Sequence, residues 1–137
     1  MTAEVFLDSN ILLYACSNAP ADVEKQRIAE SLILENDFAL SAQVLQEFVS
    51  NALRKKTLGI TERNIDATME MSSHLPVLPV TRELVLAAII LRRRLQLSHW
   101  DSTIIAAALE LGCHTLYTED LNHGQDYGGV RVINPFR

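Results

Sequence analysis

Positive charge is in short supply in this sequence: 12 lysines and arginines stand against 17 aspartates and glutamates, for a formal net charge of −5. Affinity for nucleic acid usually rests on Lys and Arg neutralising phosphates. A general polyanion binder is therefore excluded, and any nucleic-acid role must work through local basic patches or bound cations. Cysteine is scarce too. The two present, Cys16 and Cys113, form no C-x-x-C pair, which argues against a zinc site or dithiol redox chemistry and makes a reducing cytoplasm the default. Long hydrophobic runs are missing. The most apolar later stretch, residues 84–91, falls far short of the roughly 20 residues that span a bilayer and runs straight into Arg92, Arg93 and Arg94. It reads as a core helix. No basic segment and cleavage site occur near Glu4, so no secretory signal is read and a cytoplasmic protein without membrane association is expected. No repeat, low-complexity segment or linker divides the chain. Its 137 residues, 48% of them hydrophobic, suffice for one domain, 1–137, and leave no room for a second.

What is present is an alternation of short apolar strands and longer helices. Val5, Phe6 and Leu7 read as a buried strand that stops at Asp8, Ser9 and Asn10. Helices are predicted over 11–16 and, after the break at Asn18, Ala19 and Pro20, over 22–34. Ala39 and Leu40 mark a second strand. Ser41 is the N-cap of a helix over 42–55 with the apolar stripe Leu45, Phe48, Val49 and Ala52. Gly59 and Thr61 close that helix and open another, ending near His74. Pro76 and Pro79 bracket a third strand at Val77 and Leu78. Thr81 begins a helix with Leu84, Ala87, Ala88, Leu91 and Leu95 in phase. Residues 98–101 open a further helix, with a buried stripe of Ile104, Ile105, Ala108 and Leu111 and Gly112 just past its end. Strands are predicted at 115–117 and 130–133, and an irregular loop at 122–129. The pattern predicts an α/β sandwich with a mainly parallel sheet, in which functional groups gather at the C-terminal ends of strands. Asp8 and Asp120 are then neighbours.

Several acids stand out. Asp8 ends a strand, where an aspartate is commonly a cap or turn former. Glu47 lies one helical step after Val44 and another before Asn51, at the border of the apolar stripe; a solvated glutamate would sit opposite it. Asp101 falls in or beside the first turn of a helix, where the dipole favours an acid. Glu119 and Asp120 follow a strand. Each alone has an ordinary structural reading.

Their order and context are more specific. The run Val5-Phe6-Leu7-Asp8-Ser9-Asn10-Ile11-Leu12 contains a D-x-N. Gln46-Glu47-Phe48 follows the second strand. Trp100-Asp101-Ser102 leads into Ile104-Ile105-Ala106-Ala107-Ala108. Tyr117-Thr118-Glu119-Asp120-Leu121 is followed by a loop and Val132-Ile133-Asn134-Pro135-Phe136. Over essentially its full length the chain thus resembles the PIN-domain family, and within it the VapC-type toxins of bacterial and archaeal toxin–antitoxin modules. The resemblance implies a compact α/β fold with a parallel sheet, three or four carboxylates binding Mg²⁺ or Mn²⁺, and endonucleolytic cleavage of RNA. Asp8, Glu47 and Asp101 match the family's first three acids. The fourth is Asp120 on a T-x-D reading, with Glu119 the alternative if the turn is offset by one residue. Asn10 and Thr118 match polar positions that hold carboxylates or a metal-bound water.

Cleavage of a phosphodiester by water needs a nucleophile at neutral pH and a counter-charge for the transition state, and a hard divalent cation held by carboxylates supplies both. The expected mechanism is in-line attack by metal-activated water, with Asp8 and Asp101 as principal ligands and Glu47 and Asp120 as further ligands or water orienters. His99 and His123 are candidate proton donors or RNA contacts, against a structural or solvated role. The runs Arg54-Lys55-Lys56 and Arg92-Arg93-Arg94 end helices, where cations are favoured by the dipole, and one of them is a candidate phosphate contact. Trp100 is read as packing in preference to base stacking. The resemblance further implies a cognate antitoxin that inserts a helix or tail near the acids, and a homodimer for which Leu12, Leu13 and Tyr14 are candidate contacts, core burial being the alternative. Two rival readings are a strand-end-aspartate phosphatase, which normally needs a second Asp where Asn10 stands, and a degenerate RNA- or protein-binding module.

Overall fold

The structure, a computed structural model, describes residues 3–137. In chain order it runs β1 (Val5–Leu7), α1 (Ser9–Cys16), α2 (Val23–Glu35), β2 (Phe38–Ser41), α3 (Ala42–Arg54), α4 (Glu62–Ser72), β3 (Val77–Leu78), α5 (Arg82–Leu95), α6 (His99–Glu110), β4 (Thr115–Tyr117), β5 (Asp126–Tyr127) and β6 (Val130–Ile133). The strands form one sheet in the order β3-β2-β1-β4-β6-β5, parallel throughout except for the β5–β6 pair. Consecutive residues of β1 and β2, such as Phe6 and Leu7 or Ala39 and Leu40, are buried. Because successive side chains point to opposite faces, both faces of the sheet are covered. Helices α1, α2 and α3 pack together, as do α5 and α6. The predicted α/β architecture with a mainly parallel sheet is the one observed. Among the described residues no helix is long and apolar enough to cross a membrane.

Local chemistry sets most of the boundaries. Ser41, Thr81 and Ser98 each accept a hydrogen bond from a backbone N–H in the first turn of α3, α5 and α6, satisfying one of the donors that a helix start leaves free. Thr61 opens α4 with a full capping box, its hydroxyl accepting from Asn64 N–H and the Asn64 side chain accepting from Thr61 N–H. Thr61→Ala should therefore cost about 1 kcal/mol. A urea titration would read this as a lower midpoint at unchanged slope, and an unmoved midpoint would show the cap to be idle.

Three expectations need correction. Gly59 does not close α3, which ends at Arg54; it closes a separate 3₁₀ turn at Lys56–Leu58 with φ of 63°. The loop predicted over 122–129 contains β5. Gly128 and Gly129 adopt φ of 70° and 114°, a turn that suits a two-residue hairpin, so Tyr127 pairs with Val130 and its ring is buried. Helix α6 is buried all round from Ser102 to Ala108, because α5, β2 and β6 all pack on it. Of the two readings open for Leu12 and Leu13, core burial is the one observed.

The sheet order places β1 between β2 and β4, so the chain winds outward to β3 and then returns to the other side of β1. Such a switch point opens a crevice at the C-terminal ends of the two diverging strands. The parallel register sets Leu7 beside Tyr117, and one residue further on Asp8 stands beside Thr118.

Candidate active site

The crevice is organised by one hydroxyl. Thr118, fully buried, donates to Asp8 Oδ2 at 2.8 Å and accepts from Asn10 Nδ2 at 3.2 Å and from the Asp120 backbone N–H at 3.1 Å. One donor and two lone pairs are thereby all used. Asp8 is also the N-cap of α1, accepting from Ser9 N–H at 2.7 Å. Asn10 gives a second bond to Asp120 Oδ2 at 3.1 Å. Its Oδ1 is buried with no partner among the described residues, a local cost of spending both amide hydrogens on the crevice.

Two helices bring the remaining acids. Glu47 projects from the second turn of α3, held by Ser9 Oγ at 3.5 Å and by Gln43 Nε2 at 3.3 Å. Asp101 sits in the first turn of α6, whose cap at Ser98 fixes its backbone. Asp8, Glu47, Asp101 and Asp120 line one cavity of about 180 Å³, with Ser9, Asn51, Trp100 and Ile104 completing its wall. Glu119 is turned away. It receives Tyr14 Oη at 2.7 Å and pairs with Lys25 at 3.4 Å, the ammonium lying over the Tyr14 ring. Adjacent side chains beyond the strand end diverge, and this basic and aromatic corner captures the first of the two.

Among the described residues none of the four cavity acids is in an ion pair. Burial pushes the Asp8 carboxyl up from 3.8 to about 6; the Thr118 and Ser9 hydrogen bonds pull the other way, and the negative charges of Glu47 and Asp120 add to the rise. Burial likewise raises Glu47, with Asp101 and Asp120 adding, and Asp120, with Glu119 and Asp101 adding. The Asn10 hydrogen bond and, more weakly, the charge of Lys55 draw Asp120 back down. Arg92, Arg93 and Arg94 lie in the last turn of α5 and take no part in the cavity wall.

His123 is used structurally, its Nδ1 accepting from Asn134 N–H at 3.0 Å, and His99 packs edge-on against the Trp100 ring. Trp100 corrects the packing expectation: at 65% exposure it stands on the rim, because the residues buried in α6 begin only at Ser102. Ser9, Gln43 and Asn51 escaped the sequence reading. Gln43 was within reach of it, lying one helical turn before Glu47 on the same face.

The atoms in the cavity that can bind a cation are oxygens of carboxylates, a hydroxyl and an amide, with no sulfur or imidazole among the lining residues. That donor set suits a hard divalent cation. No three His, Cys, Asp or Glu side chains among the described residues stand close enough to hold an ion by themselves. Mg²⁺ ordinarily takes one or two carboxylates and keeps several of its waters, so the residues present fit a hydrated ion.

The PIN-domain family model matches residues 5–125. Among solved structures the chain is similar to a toxin–antitoxin complex from Klebsiella pneumoniae, at 19% identity and a TM-score of 0.65 over 96% of this chain and 98% of that one. It is also similar to VapC20 from Mycobacterium tuberculosis, described as a toxin that cleaves the sarcin–ricin loop, at 20% identity and a TM-score of 0.66 over 85% and 89%. VapBC2 from Rickettsia felis, bound to a DNA fragment from their promoter, gives 22% identity and a TM-score of 0.63 over 93% and 96%. At these identities the likeness is one of fold. No curated protein matches the sequence.

Proposed function

The chain belongs to the PIN-domain family, and from that premise we propose that it is an endoribonuclease, a single-domain toxin of a type II toxin–antitoxin pair that hydrolyses RNA phosphodiester bonds with Mg²⁺ or Mn²⁺. The observation that carries this reading is the gathering of Asp8, Glu47, Asp101 and Asp120, from four separate parts of the chain, around one small cavity with no Lys or Arg in its lining and, among the described residues, no ion pair to any of the four.

Burying charged carboxylates side by side is unfavourable: burial raises the Asp8, Glu47 and Asp120 carboxyls and neighbouring acids add to the rise, a cost that a bound cation would offset. Asp8 and Asp101 would be its principal holders, with Glu47 and Asp120 as further holders or as acceptors that orient water. When bound, the ion supplies counter-charge for the phosphoryl oxygens and a more acidic water. Thr118 and Asn10 keep Asp8 and Asp120 in position, and Ser9 and Gln43 do the same for Glu47. Lys55 is the basic group best sited to meet substrate phosphate.

The test is cleavage of a labelled RNA by wild type with Mg²⁺, with Mn²⁺ and with chelator, alongside a small phosphate ester. Ion-dependent cutting of RNA with negligible turnover of the ester is expected, and the reverse preference would favour a phosphatase. Asp120→Asn should slow cutting at least about tenfold, while Glu119→Gln, outside the cavity, should stay within about twofold of wild type. Equal losses would mean that Glu119 shares the work.

An antitoxin chain is the proposed protein partner, a homodimer the proposed assembly and the cytoplasm the proposed location. The toxin–antitoxin complexes among the similar structures support the first. Any dimer contact must avoid Leu12 and Leu13 and draw on exposed apolar groups such as Leu86 and Ile90.

A further inference from the structure

Beside the acidic cavity lies a second hollow of about 340 Å³, walled by Val80, Leu84 and Val85 and bounded by Gln43, Gln46 and Trp100. Trp100 lines both hollows, so this residue stands where they meet. The backbone that carries the ring is well anchored, although the residue is 65% exposed. Its own carbonyl accepts from Thr103 Oγ1 at 2.7 Å and from Gln43 Nε2 at 3.4 Å, and the His99 ring meets it edge-on at 5.3 Å. The Gln43 amide that holds this carbonyl also holds Glu47, so the backbone that carries the indole and one of the cavity acids are tied to the same side chain. Gln46, by contrast, makes no side-chain hydrogen bond among the described residues.

A slot with apolar walls, the rings of Trp100 and His99 in its lining, no Asp, Glu, Lys or Arg there and a free amide at its edge matches the chemistry of a nucleobase. Single-stranded RNA is read in this way, by splaying bases out onto aromatic side chains and hydrogen-bonding their edges. We propose that the hollow takes one unpaired nucleobase of the RNA, adjoining the phosphate in the acidic cavity, with the base stacked on Trp100 and its edge on the Gln46 amide. This rests on the ribonuclease reading and adds to it a base subsite beside the acidic cavity. A base still paired in a duplex cannot enter.

Trp100 is the single tryptophan of the chain, so its emission reports on this hollow alone. Asp8→Asn protein in Mg²⁺, titrated with a short single-stranded RNA of mixed sequence, should lose much of that emission, while the same RNA annealed to its complement should change it little. In the wild-type background, Trp100→Ala should raise KM for cleavage about tenfold with kcat nearly unchanged, and Trp100→Phe should recover most of the loss. RNA cutting without quenching, together with a KM for Trp100→Ala within about twofold of wild type, would overturn the base site and leave the ribonuclease reading intact. Quenching by RNA that wild type never cuts would do the opposite. A change in emission with protein concentration alone would mean that a second copy fills the hollow, and the proposal would fall.

Discussion

Asp8→Asn and Asp101→Asn are each expected to cut RNA roughly 10²–10³-fold more slowly than wild type, the scale on which loss of one well-placed electrostatic group acts in an active site. Both substitutions keep the side-chain shape. At Asp8 the asparagine carbonyl can still accept from Ser9 N–H and cap α1, at the cost of setting its amide against the Thr118 hydroxyl, while the charge that draws a cation is gone. Initial rates at saturating Mg²⁺, with circular dichroism to confirm folding, measure the effect. Mapping new RNA 5′ ends in cells expressing wild type or Asp8→Asn extends it to the physiological target. A variant that keeps most of the wild-type rate, or identical end maps, would sink the nuclease assignment.

The second large effect concerns stability without metal. Asp8 holds its proton more tightly in the native state, at about 6, than its ordinary 3.8. The stability this contributes is complete below pH 3.8 and is lost as the pH rises through about 6, a swing of about 3 kcal/mol. Burial of Glu47 and Asp120 acts in the same direction. Asparagine at position 8 does not titrate, so in chelator the wild-type protein should lose about 2 kcal/mol relative to Asp8→Asn between pH 4 and pH 8. Urea titrations of both proteins across that range would show it. Adding Mg²⁺ at neutral pH should restore the wild type and leave Asp8→Asn nearly unmoved, because a ligand stabilises the state that binds it. A difference between the two proteins that is flat with pH would mean that Asp8 is not the strained carboxylate described above.

Much of the candidate site was legible because its signals are local. Asp8 directly follows the apolar run of β1, Asp101 lies three residues into a capped helix, and Glu47 borders a helical stripe; short windows carry all of these. The Gly128–Gly129 hairpin was legible in principle, since paired glycines between two short apolar segments are a turn signal, but the isolated Tyr127 hid the strand before it. Trp100 was misread because burial along α6 is set by what packs on the helix, and that begins one turn later than the apolar pattern of its neighbours suggests.

The sequence by itself determined the alternation of strands and helices, the caps at Ser41, Thr81 and Ser98, and the identity and order of the acids, since period and capping depend on residues within a few positions of one another. Tertiary structure alone decided which of them meet. Glu119 leaves the crevice because Tyr14 and Lys25, 105 and 94 residues away, receive it, and Asp120 enters because Asn10 and Thr118 are brought beside it by the β1–β4 register. Gln43, Ser9 and the exposed indole of Trp100 join the site for the same reason. Parallel pairing of strands more than 100 residues apart is a long-range choice of register, and no local window contains it.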